Sequence, residues 1–382
     1  MRNVRSIFIL LRVLFIFGTR PEAIKVAPVI AELRRDRQFD VRICTTGQHR
    51  EMLDQALAIF DVRPDVDLAL MRSDQDLPTL TADLITGVYD VVRRIEPDWV
   101  VVQGDTTTTF SGALAAFYAQ CPVAHIEAGL RSGTLDAPWP EELNRTLTSS
   151  IARLHFAPTD GARQNLLSMG VSDDRILVTG NTVIDAVKHI TDRIRVDGEL
   201  RARLDRDFAF LQSSRPLILA TGHRRESFGE GLQSICRALA QIAAEEDVDV
   251  VYPVHLNPNV YHPVHRILGE TDRVHLMEPV DYVSFVYLMM RSRVILTDSG
   301  GVQEEAPYLG KPVLVMRETT ERPEAIRAGV ARLVGTDQKR IVSETRLLLH
   351  DPKHYAAMAA GFSPYGDGNA SVRIAAALLR PV

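Results

Sequence analysis

The chain has few of the residues that would place it in several broad classes. Its three cysteines, Cys44, Cys121 and Cys236, are widely spaced, form no CxxC pair and cannot all pair within one chain. A reducing, cytoplasmic compartment fits that pattern. The formal net charge of -5 gives no basic excess for neutralising nucleic-acid phosphates, so no nucleic-acid partner is expected. No segment reaches the roughly 20 apolar residues needed to cross a bilayer. Arg12 interrupts the apolar lead Ile7 to Phe17, and no small-residue cleavage site follows it. Neither a signal peptide nor a membrane partner is expected.

Cofactor motifs are missing too. No GxxxxGK[ST] occurs, and Gly229-Glu230-Gly231-Leu232-Gln233-Ser234 lacks the third glycine of a dinucleotide fingerprint. His262 and His265 are split by Pro263, and no carboxylate or cysteine shares a ligand spacing with them or with His255. Neither a cofactor nor a metal is expected.

What the chain does have is a repeated rhythm. Short apolar runs are each followed by a turn and an amphipathic stretch, the βαβ pattern of parallel sheets covered on both faces. Strands are expected at Val13 to Phe17, Val41 to Thr45, Asp98 to Val102, Val123 to Ile126, His155 to Ala157 and Ile176 to Val178. A second series runs Leu217 to Ala220, Val248 to Tyr252, Val274 to Met277, Val294 to Leu296, Pro312 to Val315 and Ala331 to Val334. With 382 residues, hydrophobic content of 46% and charged content of 24%, two ordinary α/β domains can each bury a core. The expected fold class is two doubly wound, Rossmann-like parallel-sheet domains facing a central cleft. The expected domains are 1–180, 181–365, and a closing helix within 366–382 that packs back on the first domain.

In open parallel sheets, chemistry collects beyond the carboxyl ends of the strands. Five loops stand there. In Phe17-Gly18-Thr19-Arg20-Pro21-Glu22, a capping box starts a helix whose N-terminus Arg20 and Lys25 flank. In Gly104-Asp105-Thr106-Thr107-Thr108-Thr109, a carboxylate precedes four hydroxyls, and Asp105 could equally cap the next helix. In His125-Ile126-Glu127 an acid again ends a strand, and Glu141 and Glu142 follow at a helix start. Asp105, Glu127 and Glu141 together make the kind of acid set from which proton-transfer sites are built. Thr221-Gly222-His223-Arg224-Arg225-Glu226-Ser227 carries cations suited to a diphosphate. Asp298-Ser299-Gly300-Gly301-Val302-Gln303-Glu304-Glu305 joins a strand, a glycine turn open to an anion, and a helix.

In this order the motifs closely resemble the non-hydrolysing UDP-N-acetylglucosamine 2-epimerases. The likeness runs from about Val13 to the C-terminus and includes Pro138-Trp139-Pro140-Glu141-Glu142, Gly180-Asn181-Thr182 and Tyr252-Pro253-Val254-His255. It implies the two-domain fold of B-type glycosyltransferases, a homodimer, and interconversion of UDP-N-acetylglucosamine and UDP-N-acetylmannosamine that feeds cell-surface polysaccharide synthesis. It further implies that Ser299, Gly300, Gly301, His223, Arg20 and Arg322 surround the phosphates. Glu305 would hold the ribose, and Phe285 with the backbone near Val280 the uracil. Lys25, Asp105, Glu127 and Glu141 would face the sugar, and Gln48 and His49 would belong to an allosteric site.

The chemistry is constrained, because the C2 hydrogen is not next to a carbonyl and simple deprotonation is unfavourable. In the family, UDP is expelled by anti elimination to 2-acetamidoglucal and then re-added. At this level a 2-epimerase of a related UDP sugar such as a diacetamido uronic acid, a hydrolysing epimerase and a glycosyltransferase remain open.

Overall fold

In a computed structural model of the chain, the structure describes residues 10–380 apart from 48–49, 71, 73–74, 212–213, 360 and 362. The chain divides into two compact units. The first comprises Met1–Ala186 and Gly366–Val382, the second Val187–Tyr365. Among the described residues, no helix is long and apolar enough to cross a membrane.

The first unit is built on strands β1 (Leu11–Phe17), β2 (Phe39–Thr45), β3 (Val66–Asp67), β4 (Trp99–Gln103), β5 (Val123–Ile126), β6 (Leu154–Ala157) and β7 (Ile176–Val178). They form one sheet in the order β3-β2-β1-β4-β5-β6-β7, with every pairing parallel. The apolar runs are explained by burial on both faces: Val13 through Phe17 and Val100 through Val102 are wholly excluded from solvent. Leu14, Ile16, Val100 and Val102 pack on one side against Ala113 and Ala116 of helix Thr107–Tyr118.

The sequence pattern does not anticipate β3. Its two residues lie in a charged stretch, and it is positioned from outside by the Asp65 carboxylate, which accepts the Ile43 N–H at 2.9 Å.

The first unit is closed by the end of the chain. Helix Ala370–Leu378 packs on helix Arg20–Arg35. The Asp185 carboxylate accepts the first N–H groups of that closing helix, from Ala370 at 3.1 Å and Ser371 at 2.8 Å.

The second unit carries β8 (Leu217–Thr221), β9 (Asp249–Pro253), β10 (Val274–Met277), β11 (Ser292–Thr297), β12 (Val313–Val315) and β13 (Ala331–Leu333). Their order is β10-β9-β8-β11-β12-β13, again all parallel. Helix Glu230–Glu245 lays Leu232, Ile235, Leu239 and Ile242 on the sheet at three- and four-residue steps. The expected fold class of two parallel-sheet α/β domains is observed.

Each strand order reverses once, between β1 and β4 in the first unit and between β8 and β11 in the second. At such a switch point neighbouring loops leave in opposite directions and open a crevice for a ligand. The loops that leave there are Gly18–Arg20 and Gly104–Thr106 in the first unit, and Gly222–Arg224 and Asp298–Gly300 in the second.

Candidate active site

In the first unit, the loops after β1 and β4 are tied together by a buried carboxylate. Thr19 caps helix Arg20–Arg35 and Glu22 completes the capping box, its Oε2 accepting the Gly18 and Thr19 N–H groups at 3.0 and 2.7 Å. Its Oε1 accepts the hydroxyl of Thr106 at 2.6 Å, and the Thr109 hydroxyl lies 3.2 Å away. Burial raises the Glu22 pKa, and the hydrogen bonds from Thr106, Thr19 and Gly18 offset only part of that rise. Thr106, not Asp105, caps the next helix, while Thr109 also donates to the Gln103 carbonyl at 2.6 Å and Thr108 pairs with Thr46 at 3.0 Å. The threonines thus fix the switch point, and Asp105 is left for another role.

That role is set by helix Glu141–Ile151. Arg145 approaches the Asp105 carboxylate to 2.7 Å and Glu142 to 3.0 Å, and the Asn144 amide donates to the Asp105 carbonyl at 2.9 Å. The Arg145 side chain is 9% exposed, Glu142 4% and Asp105 29%, so a buried cation holds a carboxylate that still reaches solvent. Burial works against the Arg145 charge, but Asp105 and Glu142 more than offset it and its pKa is raised.

Glu127 follows β5 with φ +65°, in the left-handed region that non-glycine residues enter at a cost of about 1–3 kcal/mol. That twist accompanies a carboxylate held by Lys25 and by the Gln103 amide at 2.6 Å. Glu141 opens its helix with one carboxylate oxygen buried and without a hydrogen-bond partner among the described residues. Arg20 sits half-buried in the first turn of helix Arg20–Arg35. Beneath this set, the buried His125 ring hydrogen-bonds the Gly104 carbonyl at 2.7 Å, and burial lowers its pKa to about 4. The structure places Asp105, Glu127, Glu141 and Arg20 on strand-end loops or helix starts of one sheet, and Lys25 in the second turn of the helix after β1.

The second unit places a different chemistry at its switch point. Asp298, 1% exposed, accepts the backbone N–H groups of His223 at 2.7 Å and Arg224 at 2.8 Å through Oδ2. This pins the basic loop to the start of helix Gly300–Tyr308. The N-cap residue there, Ser299, makes no side-chain capping bond. A Cβ added at Gly300 would lie 3.8 Å from the Arg322 guanidinium and 3.9 Å from that of Arg224. Two guanidiniums therefore flank an uncapped helix N-terminus, where backbone N–H groups and the helix dipole favour an anion. Glu304, almost fully buried, holds Arg322 in place by an ion pair.

Glu305 accepts the Tyr282 hydroxyl at 2.8 Å, which joins this helix to the start of helix Tyr282–Arg291. Val280 and the half-buried Phe285 stand at that same start. Gln48 and His49 lie outside the described residues. No group of three or more His, Cys, Asp or Glu side chains is arranged to hold a metal among the described residues.

Sequence reasoning missed Arg145, Gln103, Asn144, Asp298, Glu304 and Tyr282. Arg145 had a readable signal, since it lies four residues after Glu141 and so on the same helix face.

Residues 31–379 match the family model for UDP-N-acetylglucosamine 2-epimerase. The chain belongs to that family. It is 56% identical to the UDP-N-acetylglucosamine 2-epimerase of Salmonella typhimurium over 369 residues, 96% of this chain and 98% of the relative. The Escherichia coli K12 enzyme of the same name is 54% identical over 369 residues, with the same coverage of each chain. Among solved structures, the UDP-GlcNAc 2-epimerase from Neisseria meningitidis bound to UDP-GlcNAc superposes with a TM-score of 0.91 at 48% identity. That comparison covers 97% of this chain and 100% of the other. A glycosyltransferase from Rickettsia africae shares the fold alone, with a TM-score of 0.62 at 13% identity over 98% of this chain and 100% of the other.

Proposed function

We propose that the chain is a UDP-N-acetylglucosamine 2-epimerase that interconverts UDP-N-acetylglucosamine and UDP-N-acetylmannosamine without a cofactor. Identity above 50% to enzymes of that name over almost the whole chain carries this reading. The observed sites agree with its chemistry. A base removes the C2 proton, the C1–O bond breaks on the opposite face, and UDP leaves with the bonding electrons, giving 2-acetamidoglucal. The diphosphate oxygen then re-adds at C1 while a proton is delivered to C2 from the other face. There is no net oxidation and no water is consumed.

The first unit supplies the acid set for this sequence, Asp105, Glu127 and Glu141 with Lys25. The second supplies the cationic anion site of Ser299, Gly300, Gly301, Arg224, Arg322 and His223, which stabilises the leaving diphosphate. In this reading residues 1–180 act on the sugar and 181–365 bind UDP, with Arg20 adding to the phosphate charge. Glu305 takes the ribose, and Phe285 with Val280 the uracil.

A cytoplasmic homodimer follows the family pattern, with its product feeding cell-surface polysaccharide. It is supported by an exposed apolar face on the first unit, where Leu143 and Leu147 lie one turn apart and Phe117, Tyr118 and Ile151 line a neighbouring groove. An allosteric site at Gln48 and His49 belongs to the same reading.

The test is incubation with UDP-N-acetylglucosamine in heavy water, followed by NMR at C1 and C2. Deuterium at C2 of UDP-N-acetylmannosamine, with slow release of free UDP, is expected. Full retention of the substrate hydrogen would sink the elimination route, and free N-acetylmannosamine would make the protein a hydrolase.

A further inference from the structure

The loop after β8 carries an imidazole whose environment fixes more than its position. Asp298 spends one carboxylate oxygen, Oδ2, on the two backbone N–H groups of His223 and Arg224. Its other oxygen, Oδ1, is buried and takes no hydrogen bond within normal geometry among the described residues. An unsatisfied buried carboxylate oxygen is costly, and a nearby N–H will turn toward it. The group within reach is the His223 Nδ1, 3.3 Å from Oδ1. The imidazole lies parallel to the ring of His255, with centroids 5.6 Å apart and planes inclined by 17°, which holds it from its face. The His255 Nδ1 accepts the Asn257 N–H at 3.1 Å and so carries no proton of its own.

We propose that Asp298 is a positioning residue for His223: its Oδ1 accepts the Nδ1–H of the imidazole and holds the ring in the tautomer whose Nε2 is bare. The hydrogen bond made by one ring nitrogen decides which proton the other carries. Burial lowers the His223 pKa, Asp298 draws it back up, and Arg224 and His255 push it down again. The ring is therefore neutral in the free protein at neutral pH. Its part in turnover rests on the reading that His223 meets the diphosphate. There, Nε2 takes a proton from solvent as the diphosphate binds, the imidazolium N–H hydrogen-bonds the leaving oxygen, and Asp298 stabilises the cation from behind, as a buried aspartate does in a hydrolase triad.

The experiment is nitrogen NMR of the full chain labelled at histidine, with the His223 signals identified by their loss in His223→Asn. In the free protein at neutral pH, a pyrrole-type Nδ1 and a pyridine-type Nε2 are expected. Asp298→Asn should reverse them. Its amide oxygen would stay on the two backbone N–H groups, its NH2 would face Nδ1, and the ring would be driven to carry its proton on Nε2. Turnover should fall at least about tenfold with a small change in KM, and the pH profile should lose its His223 limb.

A wild-type ring already protonated on Nε2, or a ring unchanged in Asp298→Asn, overturns the proposal. Should Asp298→Asn not fold, the wild-type spectrum alone still decides the tautomer. UDP is then added to the wild-type protein. Movement of Nε2 toward the imidazolium position supports the whole chain of reasoning. A ring that keeps the expected tautomer and ignores UDP leaves the positioning by Asp298 standing and removes His223 from the diphosphate.

Discussion

Arg145 is the cation that holds Asp105 and Glu142, and Arg145→Met removes its charge at nearly constant length. The Glu142 carboxylate, with its side chain 4% exposed, would then stay buried with the Ser132 N–H as its remaining hydrogen-bond donor, while the partly exposed Asp105 could be rehydrated. Removing one partner of a buried ion pair costs about 3–5 kcal/mol, because the other charge is left uncompensated. With a urea slope of roughly 2–3 kcal/mol/M for a unit of this size, the midpoint should fall by about 1–2 M.

Both tryptophans, the buried Trp99 and the exposed Trp139, lie in the first unit, so tryptophan fluorescence follows that unit selectively. The double variant Arg145→Met with Glu142→Leu removes the stranded charge and should recover most of the lost stability, though not the activity, because Asp105 remains unclamped. A single-variant shift below about 0.5 M, or a double variant no more stable than the single, would refute the reasoning.

Acid should weaken the same unit. Burial lowers the pKa of His125 to about 4 and that of His155 to about 3, from an ordinary value near 6.5. The unfolded chain therefore binds protons that the folded chain refuses, so this stability is complete above pH 6.5 and is lost as pH falls from there toward 4. From pH 7.5 to 5 the two histidines should remove about 3–4 kcal/mol, softened by Glu22, whose raised pKa acts in the opposite direction. A urea midpoint that holds or rises on acidification contradicts this. At Gly300 an added Cβ would meet only ordinary contacts at 3.8 Å or more, so Gly300→Ala should melt as the wild type does. The methyl group would stand between the guanidiniums and their anion, however, and calorimetry should show UDP affinity reduced by tenfold or more. The three free thiols are buried, and burial raises each pKa to about 12, so Ellman's reagent should find none in the native protein and three in urea.

The strands of both sheets were legible because burial on two faces forces unbroken apolar runs, as at Val13 to Phe17 and Leu217 to Ala220. β3 escaped because Val66 and Asp67 sit among charges and are placed by Asp65 rather than by an apolar pattern. The positions of Asp105, Glu127, His223 and Ser299 followed from their place after strands. Their partners did not, because pairing is three-dimensional. Arg145 is 40 residues from Asp105, and Asp298 is 75 from His223. The threonines after Asp105 illustrate the opposite error. In sequence they stand out as a run of hydroxyls beside a carboxylate, yet those of Thr106, Thr108 and Thr109 are engaged within the fold by Glu22, Thr46 and Gln103.

The Asp185 cap on the closing helix has a consequence for how the molecule is made. Residues Gly366–Val382 complete the unit that Met1–Ala186 begin, and Val187–Tyr365 of the other unit lie between them in the chain. That unit stays unfinished throughout translation of the other, which is threaded into it like an insert with both ends anchored in the same host. A nascent chain halted before Ala370 would expose the face of helix Arg20–Arg35 that the closing helix covers, and Asp185 would lack the N–H groups it caps. The N-terminal half, though synthesised first, would be the half to mature last.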